Sequence, residues 1–133
     1  MDDTKSIILK TFNKQLFAFI DDIIEVLGDK EIKNSRKYLE TVKFAKPSLI
    51  IQLWFAYIEK PYHEEIEKGD PTFFLEKDYS NDLTYMENGK EIMETINTSL
   101  REPLSKMDDT NKEHCCSYIK VLSRLSKAYA EYA

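Results

Sequence analysis

The sequence predicts an all-α chain: a compact bundle of about five helices with a buried central helix and an aromatic-rich loop, in a single domain over residues 1–133. Three observations carry that prediction. Apolar residues recur three and four apart over long stretches, the period of a helix face rather than of a strand. Glycine occurs three times and proline four times, too rarely for a turn-rich or disordered chain. The run Pro47–Ile58, PSLIIQLWFAYI, has nine apolar residues and one polar side chain, Gln52, after its opening Pro-Ser. As a helix it has scarcely any polar stripe and must be covered on nearly every side.

The first helix is expected from Thr4 or Ser6 to Leu27. Leu9, Phe12, Leu16, Phe19, Ile23 and Val26 give its stripe, widened by Phe17, Ile20, Ile24 and Leu27, while Asp21, Asp22 and Glu25 take the other face. A face this broad suits a bundle or self-association better than a two-helix seam. Gly28 is a natural stop, because glycine takes positive φ without a Cβ penalty, and Asp29 can cap the next helix. That second helix, about Lys30 to Phe44, has a narrow stripe of Ile32, Leu39 and Val42, helped by Tyr38. Lys30, Lys33, Arg36, Lys37 and Lys43 make its outer face the most basic part of the chain.

The central helix then starts at Pro47, which suits a first turn where its missing N–H is no loss. Pro61 should end or kink it near residue 60. PYHEEIEKGD supplies one or two further turns up to Gly69, and DPTFFLEKDYSNDL, residues 70–83, reads as a loop pinned by Phe73, Phe74, Leu75 and Tyr79. A fourth helical segment is expected from Asp82 to about Leu104, with Met86, Met93, Ile96 and Leu100 as its stripe and a break at Pro103. The last opens between Asp108 and Asn111. Thr110 with Glu113 has capping-box spacing, and Cys115, Ile119, Leu122, Leu125 and Tyr129 form the buried face.

Composition narrows the functional classes. The formal charge is −5, and residues 61–80 carry two basic against six acidic side chains, which disfavours a broad phosphate-binding face. The two cysteines are adjacent, Cys115 and Cys116, so they cannot staple distant segments, and MDDTKSI has no signal-peptide pattern. A reducing intracellular compartment is the expectation, with no membrane span. Glycines at 28, 69 and 89 alone exclude the usual Gly-rich phosphate loops.

The block PYHEEIEKGDPTFFLEKDYSNDL, after the apolar segment around Trp54, resembles a group of uncharacterised small helical proteins encoded by large DNA viruses of protists and algae. The resemblance extends from about Phe12 through Leu83, with a weaker match in the last helix. It brings no catalytic constellation with it. What it implies is a viral accessory or structural protein in the host cytoplasm or the virion.

The leading expectation is a non-enzymatic module that binds a protein partner or itself, with Phe73, Phe74 and Tyr79 as an aromatic anchor patch, since aromatics concentrate at interface centres. Nucleic-acid binding through Lys33, Arg36, Lys37 and Lys43 is the alternative. It would need those side chains to merge with Lys106, Lys120, Arg124 or Lys127 into one surface, while Glu31 and Glu40 share their helix. A hydrolase-like site is the third reading. His63 and Glu67 fall one helical turn apart, with Glu64, Asp70, Glu76 and Asp78 nearby, and a pocket lined by carboxylates and His63 would mark it. No catalytic residue, metal or cofactor is assigned: His63 and Glu67 are two ligands only, and His114, Cys115 and Cys116 point about 100° apart on a helix.

Overall fold

The computed structural model of the chain describes residues 3–28, 30–69, 87–96 and 102–132; of residues 87–90, 93, 102 and 105 it describes the backbone alone. Its elements are α1 (Thr4–Leu27), α2 (Lys30–Ala45), α3 (Leu49–Trp54), a π-helical turn (Phe55–Glu59), α4 (Lys60–Lys68), α5 (Glu87–Ile96), α6 (Glu102–Ser105) and α7 (Asp109–Glu131). The fold is all-helical, with α3, the π turn and α4 joined into one bent rod. No strand occurs among the described residues, and no described helix is long and apolar enough to cross a membrane.

Most of the wide apolar face of α1 finds its cover within the chain, although Val26, expected in that stripe, is exposed near the helix end. Phe12, Leu16, Phe17, Phe19, Ile20 and Ile23 are all buried, chiefly against α7, with α2 and α3 covering the remainder. Gly28 ends the helix at φ +63°, its N–H donating to the Ile24 carbonyl. The apolar run after Pro47 takes the centre. Ile50, Ile51, Leu53, Trp54 and Ile58 are buried between α7 on one side and α1, α2 and α5 on the others. Pro47 itself lies in the turn before α3, two residues ahead of the first helical position, Leu49.

Pro61 does not end the rod. It occupies the first turn of α4, and the chain meets it by widening: the Lys60 N–H reaches back to the Phe55 carbonyl, a five-residue step. Proline has no N–H to give the carbonyl four residues back, and its ring crowds that carbonyl. A wider turn before it relieves the crowding, and Tyr62, at φ −124° and ψ 22°, absorbs the rest as a kink. Gly69 closes α4 at φ +73°.

Helix α7 is capped by Asp108, whose Oδ1 accepts from the Asn111 N–H at 2.8 Å. The capping box expected of Thr110 and Glu113 therefore starts two residues too late, because aspartate three positions before Asn111 already satisfies the exposed N–H. Of the segment expected between residues 82 and 104, the described parts are α5 and the beginning of α6, both helical; residues 82–86 and 97–101 lie outside the described residues, as does Asp29, the expected cap of α2.

Polar ties fix how α7 sits on its neighbours. The Trp54 indole Nε1 donates to Ser123 Oγ at 2.9 Å inside the core. Arg124 holds Glu67 of α4 with two bonds, 2.9 and 3.3 Å. On α1, Asp22 Oδ2 accepts from the Tyr118 hydroxyl at 2.6 Å and lies 3.2 Å from His114 Nε2. The Tyr118 bond holds the Asp22 carboxyl below its usual 3.8, and the same bond pushes the Tyr118 phenol up to about 12.

The stability consequence has two windows. Asp22, with a lowered folded-state pKa, contributes above its ordinary value and loses that contribution as pH falls through the folded value. Tyr118, with a raised one, contributes fully below pH 10 and loses it as pH rises through about 12. Both groups are partly exposed, so solvent screening reduces the effect. Tyr118→Phe is expected to cost about 1 kcal/mol at neutral pH. Urea unfolding at about pH 3, 7 and 11 should show the wild-type advantage at neutral pH shrinking at both ends.

Candidate functional site

Two of the clefts among the described residues gather the candidate side chains. The first is a groove of about 690 Å³ between α1 and α2, and its walls follow from the helical phase of both. Lys10, Asn13, Lys14 and Phe17 fall three or four apart on α1, and Arg36, Glu40, Lys43 and Phe44 do the same on α2, so each set shares a face. Phe17 supplies an apolar wall, with the Arg36 guanidinium 5.1 Å and the Lys43 ammonium 4.9 Å from its ring centre. Arg36 is committed further: it bonds Asp21 at 2.6 Å and also pairs with Glu40. Lys10 and Lys14 form no ion pair among the described residues.

Two features of this groove were not legible from helical pattern alone. Phe44 is 91% exposed, by far the most exposed large apolar residue described. Asn13 is 7% exposed and its Nδ2 donates to the Pro47 carbonyl at 3.1 Å, which fixes the orientation of the amide. Its Oδ1 is then buried without a partner among the described residues. A polar residue between Phe12 and Leu16 on the apolar face of α1 was the available signal, since buried polar groups are rarely left unpaired.

The second cleft lies between α7 and the rod formed by the π turn and α4. Two adjoining cavities of about 470 and 330 Å³ share Glu59, His63, Lys127 and Glu131. Glu59 follows the buried Ile58, so the π turn carries it inward, where its side chain is only 4% exposed. His63 Nδ1 lies 2.9 Å from Glu59 Oε1, and the imidazole is 44% exposed. His63 and Glu67, expected on one face a turn apart, both line the smaller cavity. His63 bonds Glu59, one turn back, and Glu67 bonds Arg124. The same four-residue spacing read toward the N-terminus would have found Glu59; nothing local showed that this glutamate is buried.

The remaining candidates are dispersed. Among the basic residues of α2, Arg36 and Lys43 line the first groove, whereas Lys33 and Lys37 are exposed and line neither cleft. Arg124 and Lys127 line the second cleft and not the first. His114 turns to Asp22. Cys115 is buried with its Sγ 3.6 Å from Met107 Sδ, and burial pushes its thiol up to about 12, the behaviour of a small apolar core residue. No group of three His, Cys, Asp or Glu side chains among the described residues could hold a metal. Phe73, Phe74 and Tyr79, the expected anchor patch, lie outside the described residues, as do Asp70, Glu76 and Asp78. No protein-family model, curated protein or solved structure matches the chain.

Proposed function

We propose that the chain is a protein-binding module whose α1–α2 groove takes an acidic peptide segment carrying an apolar side chain. The observation that carries this reading is Phe44, 91% exposed at the rim of a groove whose lysines lack carboxylate partners among the described residues. A phenyl ring left in water on a helix is a loss unless something covers it, and large exposed apolar groups beside polar rims mark interaction sites. Charge selects the kind of cover. The lining has four cations, Lys10, Lys14, Arg36 and Lys43, against two carboxylates, Asp21 and Glu40, a local +2 on a chain of −5. Since Arg36 already takes both carboxylates, Lys10, Lys14 and Lys43 remain for an acidic partner, which they would also attract from a distance.

A peptide suits the groove better than a nucleic acid. Arg36 is bound within the fold, Lys33 and Lys37 sit outside the groove, and phosphate tracking needs a continuous basic strip. The viral accessory or structural role and the host-cell or virion setting suggested by residues 61–83 belong to the same proposal, because such proteins act by contacting others.

Fluorescence anisotropy with a labelled acidic peptide of about ten residues containing one phenylalanine tests the reading. Saturable binding is expected, weakened about tenfold or more when alanine replaces the peptide's phenylalanine, and lost with the triple variant Lys10→Glu, Lys14→Glu, Lys43→Glu. These lysines are exposed, so the variant should fold normally. A single-stranded oligonucleotide of matched charge is the comparison. Tighter binding of the oligonucleotide, or indifference to the triple variant, would overturn the proposal.

A further inference from the structure

The cleft between α4 and α7 holds a second arrangement that the binding module does not use. Glu59 is buried, His63 is half-exposed in front of it, and both line the two adjoining cavities together with Lys127. We propose that Glu59 and His63 form a general-base pair that activates water against a small carboxylic ester bearing an anionic group. The arrangement has the two parts such chemistry requires. A carboxylate that accepts from Nδ1–H selects one imidazole tautomer, and the lone pair is then left on Nε2 as the base. A histidine backed in this way by a buried acid is oriented as well as polarised, the logic by which an acid supports the catalytic imidazole in hydrolases.

The backbone supplies an independent observation. Glu59 is the last residue of the π turn, and π turns inside helices occur frequently at functional sites. One inserted residue rotates everything downstream by about 100°. The widening before Pro61 therefore sets which side of α4 faces α7, and with it the placing of His63 in the cleft. A cavity of about 470 Å³ is within the usual range for small-molecule sites. Lys60 and Lys127 line that cavity with Glu131 beside them, so the lining is balanced in charge, and the two ammonium groups are the points that would hold a substrate's carboxylate. Arg124 is fixed by Glu67 and serves as wall.

The reaction balances without a co-reactant other than water. Nε2 takes a proton from water as the water oxygen bonds to the ester carbonyl carbon. The resulting oxyanion is stabilised by the positive charge of Lys127. The bond to the alkoxy oxygen then breaks, and the proton on Nε2 passes to that oxygen, giving a carboxylic acid and an alcohol. Nothing is oxidised or reduced.

Hydrolysis of 4-nitrophenyl acetate and of the mono-4-nitrophenyl ester of succinic acid tests the proposal, with free imidazole as the reference. The wild type should exceed imidazole at equal concentration and prefer the succinyl ester. His63→Gln should lose about 100-fold of kcat/KM, the usual contribution of a general base. His114→Gln removes the only other histidine and should leave the rate unchanged. Glu59 acts through His63 as a positioning residue, so Glu59→Gln should lower kcat and displace the acid limb of the pH profile, where protonation of Nε2 stops the reaction. His63 is half-exposed and its replacement should not disturb folding, which circular dichroism verifies. Equal rates for His63→Gln and wild type, or a wild-type rate no greater than that of imidazole, would overturn the proposal and leave the peptide-binding reading untouched.

Discussion

Trp54→Ala is expected to lower the unfolding free energy by about 3–5 kcal/mol, a large share of the roughly 5–15 kcal/mol that a domain of this size has. Trp54 is the largest fully buried side chain, packs edge-on against Phe12 with ring centres 6.0 Å apart, and donates its indole N–H to Ser123. Truncation removes the apolar contacts of the indole and opens a cavity between α1 and α7 that those helices cannot close without losing their own packing. The hydrogen bond is separable from the volume. Ser123→Ala keeps the packing but leaves a buried N–H without an acceptor, at about 1–3 kcal/mol. In the background of Trp54→Phe, which has no N–H, the Ser123→Ala cost should shrink by most of that amount. Urea denaturation of the four proteins measures the coupling; purely additive costs would mean that the bond does not stabilise the core.

Phe19→Ala should have the second-largest effect, about 3–5 kcal/mol. Phe19 is fully buried and lies face to face with Tyr118, ring centres 4.9 Å apart and planes 5° from parallel. It sits in the α1–α7 interface, the most extensive helix pairing among the described elements. Loss of the ring also loses the stack, worth about 0.5–1.5 kcal/mol beyond area. The Asp22–Tyr118 bond one turn away should weaken with it, since Tyr118 no longer has a surface to lie on. Thermal unfolding of Phe19→Ala, Tyr118→Phe and the double variant would show this as a cost below the sum of the single ones. A cost for Phe19→Ala under about 1 kcal/mol would mean that this face of α1 is not docked as described.

What the chain's pattern does and does not reveal is clearest at particular residues. The extent of α1 and its end at Gly28 follow from local chemistry, periodicity and a glycine at positive φ, and they appear as expected. The burial of Ile50 to Ile58 follows from the lack of any polar stripe. Of the two outcomes that Pro61 allows, a stop or a kink, the structure takes the kink, at Tyr62: a π turn makes room for the proline, and the rod continues. Asp108 displaces Thr110 as the cap because several residues near a helix start can satisfy the same N–H, and geometry chooses among them. The candidate sites were half visible. His63, Arg36 and Lys43 were singled out, whereas Glu59, Asn13 and the exposure of Phe44 were not.

The sequence by itself determined where helices run and which faces they must bury, because both depend on residues within a few positions of one another. The tertiary structure alone decided the partners: Asn13 with Pro47, Trp54 with Ser123, Glu67 with Arg124, Asp22 with Tyr118. Each joins elements far apart in the chain, and each depends on the rotation and height at which two helices dock. Side-chain packing across the interface sets those quantities, and a helical period carries no record of them.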